Sequence, residues 1–341
     1  MQIRNWNFEG GTNEEKRKEF LNYFRNILSS SNINVLLGAG FCMPLLKCVN
    51  DIENRLSEAI DTGDKSEEIK LKKEFFTESI APLLEIADDN KQFQYEFISI
   101  LKSIIERRKT PILHTSFNVF TTNYDNIIET ALETRNIEYY DGFSGRIAPK
   151  FSTANYGRLL NKQTNTLGKV SNVLSANLYK LHGSLYWIEK DDNIVFENFI
   201  SRIKEINDNK DDDEKFLELY NKLAIINPTK DKLNTTVLKT NYYDQFRIFS
   251  NELERENSIV IAFGFSFADE HIQQVITRAL KSNPTLTLLL FPYSENTFSE
   301  FERLFRDFGN VICYTDEKDG TFTKFELEIL NAILREVEQC C

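Results

Sequence analysis

Apolar positions along the chain change period several times, and the changes mark its elements. Phe20, Leu21, Phe24, Ile27 and Leu28 share one helical face. Ahead of them, Thr12-Asn13-Glu14-Glu15 has the form of a capping box, in which Thr12 bonds the backbone N–H at Glu15 and Glu15 reaches back. Ser29 to Asn32 ends that helix, and the branched run Ile33 to Leu37 predicts a buried strand that stops at Gly38-Ala39-Gly40. From Leu45 to about Lys109 the pattern is charged and helical, broken strongly only at Gly63 and Pro82. Phe117 to Thr121 predicts a second strand, Asn126 to Arg135 a helix, and Ile137 to Tyr140 a short strand ended by Asp141-Gly142. Gly145 to Ala176 is rich in Asn, Ser, Thr and Gly, and predicts a long surface segment of the kind that often carries function.

Further on, Leu178 to Leu181 predicts a strand followed by His182-Gly183-Ser184. Asp191-Asp192-Asn193 separates two apolar runs as a turn, and Asp211-Asp212-Asp213 precedes a helix at Glu214 to Lys222. The last third alternates regularly. Strands are predicted at Ile259 to Phe263, Leu286 to Phe291 and Val311 to Tyr314, and helices at Asp269 to Leu280, Phe298 to Phe308 and Phe322 to Val337. Alternation of this kind predicts an α/β fold with a doubly wound, mostly parallel, Rossmann-like sheet. We expect one domain over residues 1–341, with a helical insertion at 45–110 after the first strand. No internal repeat or low-complexity tract interrupts it.

Composition narrows the possible functions. Hydrophobic residues make up 41% of the 341 positions, enough for a sizeable core, and most of the 27 Phe residues belong in it. A net charge of −11 argues against a dedicated nucleic-acid binder. No apolar run reaches 18 residues and the start of the chain is polar, so neither a membrane span nor a signal peptide is expected, and the cytoplasm is the default location. Cys42, Cys48, Cys313, Cys340 and Cys341 form no C-x-x-C pairs, so no structural zinc site is expected.

Ligands of a doubly wound sheet bind beyond the carboxyl ends of its strands. Four polar or glycine-rich segments follow predicted strands: Gly38-Ala39-Gly40-Phe41-Cys42, Thr122-Asn123-Tyr124-Asp125, His182-Gly183-Ser184 and Gly264-Phe265-Ser266-Phe267-Ala268-Asp269. All four should line one rim. The first allows close backbone approach to a pyrophosphate, with the next helix offering its N–H groups, or it is simply a tight turn. Asn123 suits a ribose hydroxyl or a water. Asp125 either orients such a group or caps the following helix. His182 suits a general base near neutral pH. His114 precedes a strand and His271 lies at a helix start, and both are read as structural. Ser266 and Asp269 either bind a ribose or cap a helix, or do both.

Together these segments resemble the sirtuin-like family of NAD⁺-consuming proteins. Gly38 to Cys42 is similar to the family's first glycine motif, with Cys42 where a Ser or Thr is usual. Thr121 to Asp125 resembles the segment carrying the catalytic asparagine, Leu181 to Ser184 the one carrying the catalytic histidine, and Gly264-Phe265-Ser266 the late motif near the adenosine. The order and spacing match from about Asn32 to Glu270. Deacylating sirtuins carry a zinc module with two cysteine pairs, which this chain lacks. That departure and the helical block resemble the bacterial sirtuin-like proteins of antiviral defence, which hydrolyse NAD⁺.

The resemblance implies NAD⁺ as substrate, no metal, and hydrolysis to nicotinamide and ADP-ribose. Asn123, His182 and Asp125 would be catalytic, and Gly38, Ala39, Gly40, Phe41, Thr122, Gly264, Ser266 and Asp269 would bind the dinucleotide. Gly38 to Phe41 would hold the pyrophosphate and close over the nicotinamide side. It also implies a separate sensor or activator, either an ATPase or helicase-like protein or an Argonaute-like one, and a homo-oligomer. Three other readings stay open: an NAD⁺-dependent protein deacylase, a non-catalytic NAD⁺ or ADP-ribose sensor, and a scaffold built on the helical block.

Overall fold

The computed structural model describes residues 1–5, 22–23, 26–43, 45–47, 52–108, 113–163, 170–190, 193–225 and 238–315. The capping box at Thr12 to Glu15, most of the helix after it, the helix expected at Phe322 to Val337, and Cys48, Cys340 and Cys341 lie outside these residues.

Eight strands form the central sheet: β1 (Gln2–Asn5), β2 (Asn32–Leu37), β3 (Ser116–Thr121), β4 (Glu138–Tyr140), β9 (Ser175–Lys180), β12 (Ser258–Phe263), β13 (Thr287–Leu290) and β14 (Val311–Thr315). Between β4 and β9 lie the short strands β5 (Phe143–Ser144), β6 (Lys150–Phe151), β7 (Asn161–Gln163) and β8 (Val170–Asn172), and between β9 and β12 lie β10 (Trp187–Lys190) and β11 (Asn193–Phe196). The order across the large sheet is β1-β14-β13-β12-β2-β3-β9-β4, and every neighbouring pair is parallel. This is an α/β doubly wound fold, as the alternation predicted. From β2 the chain runs outward one way through β3 and β9. From β12 it runs the other way through β13 and β14. The switch between the two directions falls at β2 and β12, where such sheets open a crevice.

Strands of a parallel sheet are covered on both faces, which is why they read as unbroken apolar runs. Alternate residues divide between two cores. Val35, Leu37, Val119, Leu178, Ile261 and Phe263 join one, covered by Phe97, Ile98, Leu101 and Ile105 of the helix Gln92–Glu106 and by Ile128, Ala131 and Leu132 of the helix Ile127–Thr134. Leu36, Phe120, Tyr179, Val260 and Ala262 join the other, against Phe249 and Leu253 of Leu238–Glu254, Ile272 and Ile276 of Glu270–Ser282, and Phe301 and Phe305 of Glu295–Phe305.

A third core stands beside the sheet. Leu56 and Leu71, from the helices Ile52–Thr62 and Lys65–Phe75, pack with Ile203, Ile206, Phe216 and Tyr220 from the helices Ile200–Asp208 and Asp213–Tyr220. The helical block between β2 and β3 therefore contributes to two bodies. Its first two helices build this outer core, and its last helix covers the sheet.

Several local expectations change. The strand at 32–37 is the second in the chain, because Gln2–Asn5 pairs in parallel with β14. The third run at the rim begins at Ser175, not Leu178, since Asn177 and Ser175 are buried polar residues that broke the apolar pattern. The 145–176 segment carries the strands β6, β7 and β8. The helices Ile200–Asp208 and Leu238–Glu254 were not anticipated.

Candidate functional site

The four rim segments start from strands that end level with one another. Leu37 pairs with both Phe263 and Thr121, and Thr121 pairs with Lys180. The residues just beyond those positions therefore converge at the carboxyl edge, across the switch point.

The first and fourth segments interlock through backbone. Gly38 N donates to Phe263 O at 3.0 Å and Gly40 N to Gly264 O at 3.0 Å. A Cβ on Gly38 would lie 2.4 Å from Gly264 O, and one on Gly264, where φ is +60°, would lie 2.3 Å from Phe41 N. The glycines are thus required by turn-to-turn packing. Residues Ala39–Cys42 form a single 3-10 turn, and among the described residues no α-helix starts directly after Gly40 to offer its N–H groups to an anion. Ala39 is exposed and Gly40 half-buried. Phe41, expected to close over the nicotinamide side, is a core anchor instead. Its ring is buried against Phe93, Phe97 and Phe263, and its carbonyl accepts from Gln94 Nε2 at 2.8 Å.

Asn123 is buried, and its Nδ2 donates to Gly38 O at 2.9 Å and to Cys42 Sγ at 3.2 Å. Its backbone N–H donates to Thr121 Oγ1 at 3.0 Å. Half-buried Thr122 donates its N–H to Leu37 O at 3.2 Å, tying the second segment to the first. Asp125 accepts from Ile127 N through Oδ1 at 2.9 Å and from the Cys42 thiol through Oδ2 at 3.2 Å. Asp125 is buried, and both its oxygens are engaged by protein donors. Burial, then the Asp125 charge, pushes the Cys42 thiol well up. It stays protonated, which its donation to Asp125 requires. Cys42 thereby takes the linking position that a hydroxyl could also fill.

Lys180 escaped the sequence reading. Its ammonium is buried under the second segment, donating to Asn123 O at 3.3 Å and to Asp125 O, and it pairs with Glu129 Oε1 at 2.9 Å. Burial raises the Glu129 carboxyl to about 7, against the opposing pull of Lys180. A lysine inside a strand covered on both faces needs such partners, and that was the signal available.

The third segment turns at Gly183, where φ is +85° and a Cβ would lie 2.3 Å from both Ala224 O and the Tyr242 hydroxyl. This tight turn aims His182, whose side chain is 12% exposed, across the rim. Its Nε2 lies 3.0 Å from Asp269 Oδ2. Asp269 also caps the helix Glu270–Ser282, its Oδ1 accepting from His271 N at 3.0 Å and Ile272 N at 3.2 Å. Ser266 is exposed and its hydroxyl accepts from Ala268 N at 3.4 Å. The structure thus places Asn123, Asp125, Cys42 and the two glycine turns in one contact network, and His182 with Asp269 in a second on the same rim. His114 is exposed ahead of β3, at the opposite end of the sheet.

Among the described residues, no group of three or more His, Cys, Asp or Glu is placed to hold a metal ion, and no helix is long and apolar enough to cross a membrane.

A parallel sheet with a polar, glycine-lined rim at its switch point places the chain in the doubly wound α/β class, whose ligands bind at that crevice. Residues 118–312 match the family described as the SIR2-like domain, and the chain belongs to that family. Such domains are typically NAD⁺-using enzymes. No curated protein matches the chain. Among solved structures, one described as showing the structural basis for the mechanism and regulation of Sir2 enzymes is 13% identical, covering 94% of this chain and 98% of its own, with a TM-score of 0.41.

Proposed function

We propose that the chain is an NAD⁺ glycohydrolase, cleaving NAD⁺ to nicotinamide and ADP-ribose. The observation that carries this reading is the placement of His182 and Asn123. Each stands two residues beyond one of the adjacent paired positions Lys180 and Thr121, in a SIR2-like domain. The positively charged nicotinamide is already a good leaving group. The protein has mainly to hold the ribose, stabilise the developing cation at C1′, and position a water. Asn123 sets the ribose or the water. His182 accepts the proton that the attacking oxygen gives up. The two glycine turns bring backbone close to the dinucleotide, and the exposed Ser266 hydroxyl lies on the adenosine side. We propose further that the activity serves antiphage defence by depleting NAD⁺, under control of a separate sensor protein, in a homo-oligomer.

The test is nicotinamide release from NAD⁺ by purified protein, with and without the product of a neighbouring gene and its trigger. His182→Ala and Asn123→Ala are each expected to lower the rate by about 10²–10⁴-fold while leaving the fold intact. Release at the parental rate by His182→Ala would refute the assignment. Formation of acyl-ADP-ribose from an acylated peptide would replace hydrolysis with deacylation.

A further inference from the structure

Among the described residues, one ring nitrogen of His182 meets a charged neighbour. Nε2 lies 3.0 Å from Asp269 Oδ2, an ion-pair distance. The carboxylate is not loose. Its other oxygen accepts two backbone N–H groups at the start of the helix Glu270–Ser282, at 3.0 and 3.2 Å. Those two bonds fix the plane of the carboxyl group, and the positive end of the helix favours its charged form. A fixed carboxylate beside Nε2 selects the tautomer in which Nε2 carries the hydrogen, leaving the lone pair on Nδ1.

We propose that Asp269 is a positioning residue for His182, and that Nδ1 is the atom that takes the proton during NAD⁺ cleavage. The inference rests on the glycohydrolase reading for its chemistry, but not for the tautomer. In the step, the water oxygen bonds to C1′ of the ribose. The C1′–N pair leaves with nicotinamide and neutralises its ring charge, and the surplus proton of the water passes to Nδ1. The imidazolium so formed keeps its Nε2–H on Asp269, whose negative charge stabilises it. Regeneration returns the Nδ1 proton to solvent. Asp269 therefore turns one oxygen to the helix and the other to the histidine.

The substitution Asp269→Asn separates this role from capping. Asn caps helices as well as Asp, so its Oδ1 would stay on the two N–H groups. Its amide NH₂ would then face Nε2, which must become the acceptor, and the ring hydrogen would move to Nδ1. Asp269→Ser also caps but is too short to reach the ring.

The experiment is long-range ¹H–¹⁵N correlation of the full chain at alkaline pH without NAD⁺, with His182 assigned by loss of its signals in His182→Gln. Alongside it, nicotinamide release is measured. The parent is expected to show hydrogen on Nε2, and Asp269→Asn to show it on Nδ1 with the fold unchanged. In that variant kcat should fall about 10²–10⁴-fold with KM nearly unchanged, and Asp269→Ser should lose less. Hydrogen on Nδ1 in the parent, or the parental tautomer in Asp269→Asn, overturns the proposal. A parent with the expected tautomer that never releases nicotinamide, even with its partner and trigger, sinks the glycohydrolase reading and leaves the pair standing. A parent that releases nicotinamide with the wrong tautomer does the reverse.

Discussion

Replacing Glu129 with Gln should remove a pH dependence from the stability of this protein. Glu129 sits in the first helix after the Asn123–Asp125 segment, buried, with one oxygen 2.9 Å from Lys180 Nζ. Burial raises its carboxyl from the ordinary 4.5 to about 7. Between those values the unfolded chain has released the proton and the folded chain still holds it. Each unit of rising pH then costs the folded state up to about 1.4 kcal/mol. The contribution is fully present below about 4.5 and is lost as pH rises through about 7, a total of about 3 kcal/mol. Gln has no proton to release, and its side-chain carbonyl still accepts from Lys180. Urea unfolding of both proteins from pH 4.5 to 8 measures the effect. The two should match at the acid end, and Glu129→Gln should be more stable by about 3 kcal/mol at pH 8. A difference that does not change with pH, or that grows towards acid, would refute the reasoning.

Other outcomes follow from the same contacts. Gly264→Ala puts a Cβ 2.3 Å from Phe41 N at a positive φ, and should destabilise by about 2–4 kcal/mol in urea melts; a loss under about 0.5 kcal/mol would mean the turns are not tightly interlocked. Cys42→Ser keeps a donor for Asp125 and an acceptor for Asn123, so nicotinamide release should stay within about threefold of the parent. Cys42→Val removes both and leaves Asp125 Oδ2 short of a partner, at about 1–3 kcal/mol in stability and at least about tenfold in rate. Equal behaviour of the two variants would show that Cys42 only fills space.

The sheet was legible because buried parallel strands read as apolar runs, and the rim because each run stops at polar or glycine residues. β1 was not legible. Gln2 to Asn5 is a short polar edge strand whose only visible reason to be extended is pairing with β14, a contact between the two ends of the described chain. The start of β9 was hidden by Asn177, which donates to Asn118 Oδ1 at 2.9 Å and is satisfied only once β3 lies beside it. Among the proposed site residues, Asn123 and His182 stand out in the sequence because each follows the end of a strand. What could not be read was which of their neighbours face inward. Phe41 looked like a cover and is a core ring. Asp125 reads as a substrate group or a helix cap, and it accepts from Ile127 N and from Cys42. Asp269 announced its cap through the sequence, but its second oxygen meets a histidine that the chain brings close only by folding over the ends of β2 and β3.

The two interlocked glycine turns have a consequence for how this rim can diversify. Backbone meets backbone at Gly38, Gly40 and Gly264 with no room for a methyl group, so these positions cannot drift one at a time. Exposed side chains on the same turns stand at Ala39, Met43, Ser266 and Ala268. On the proposed NAD⁺ reading, a change in which dinucleotide is preferred, whether by selection or in the laboratory, has its openings at those four places.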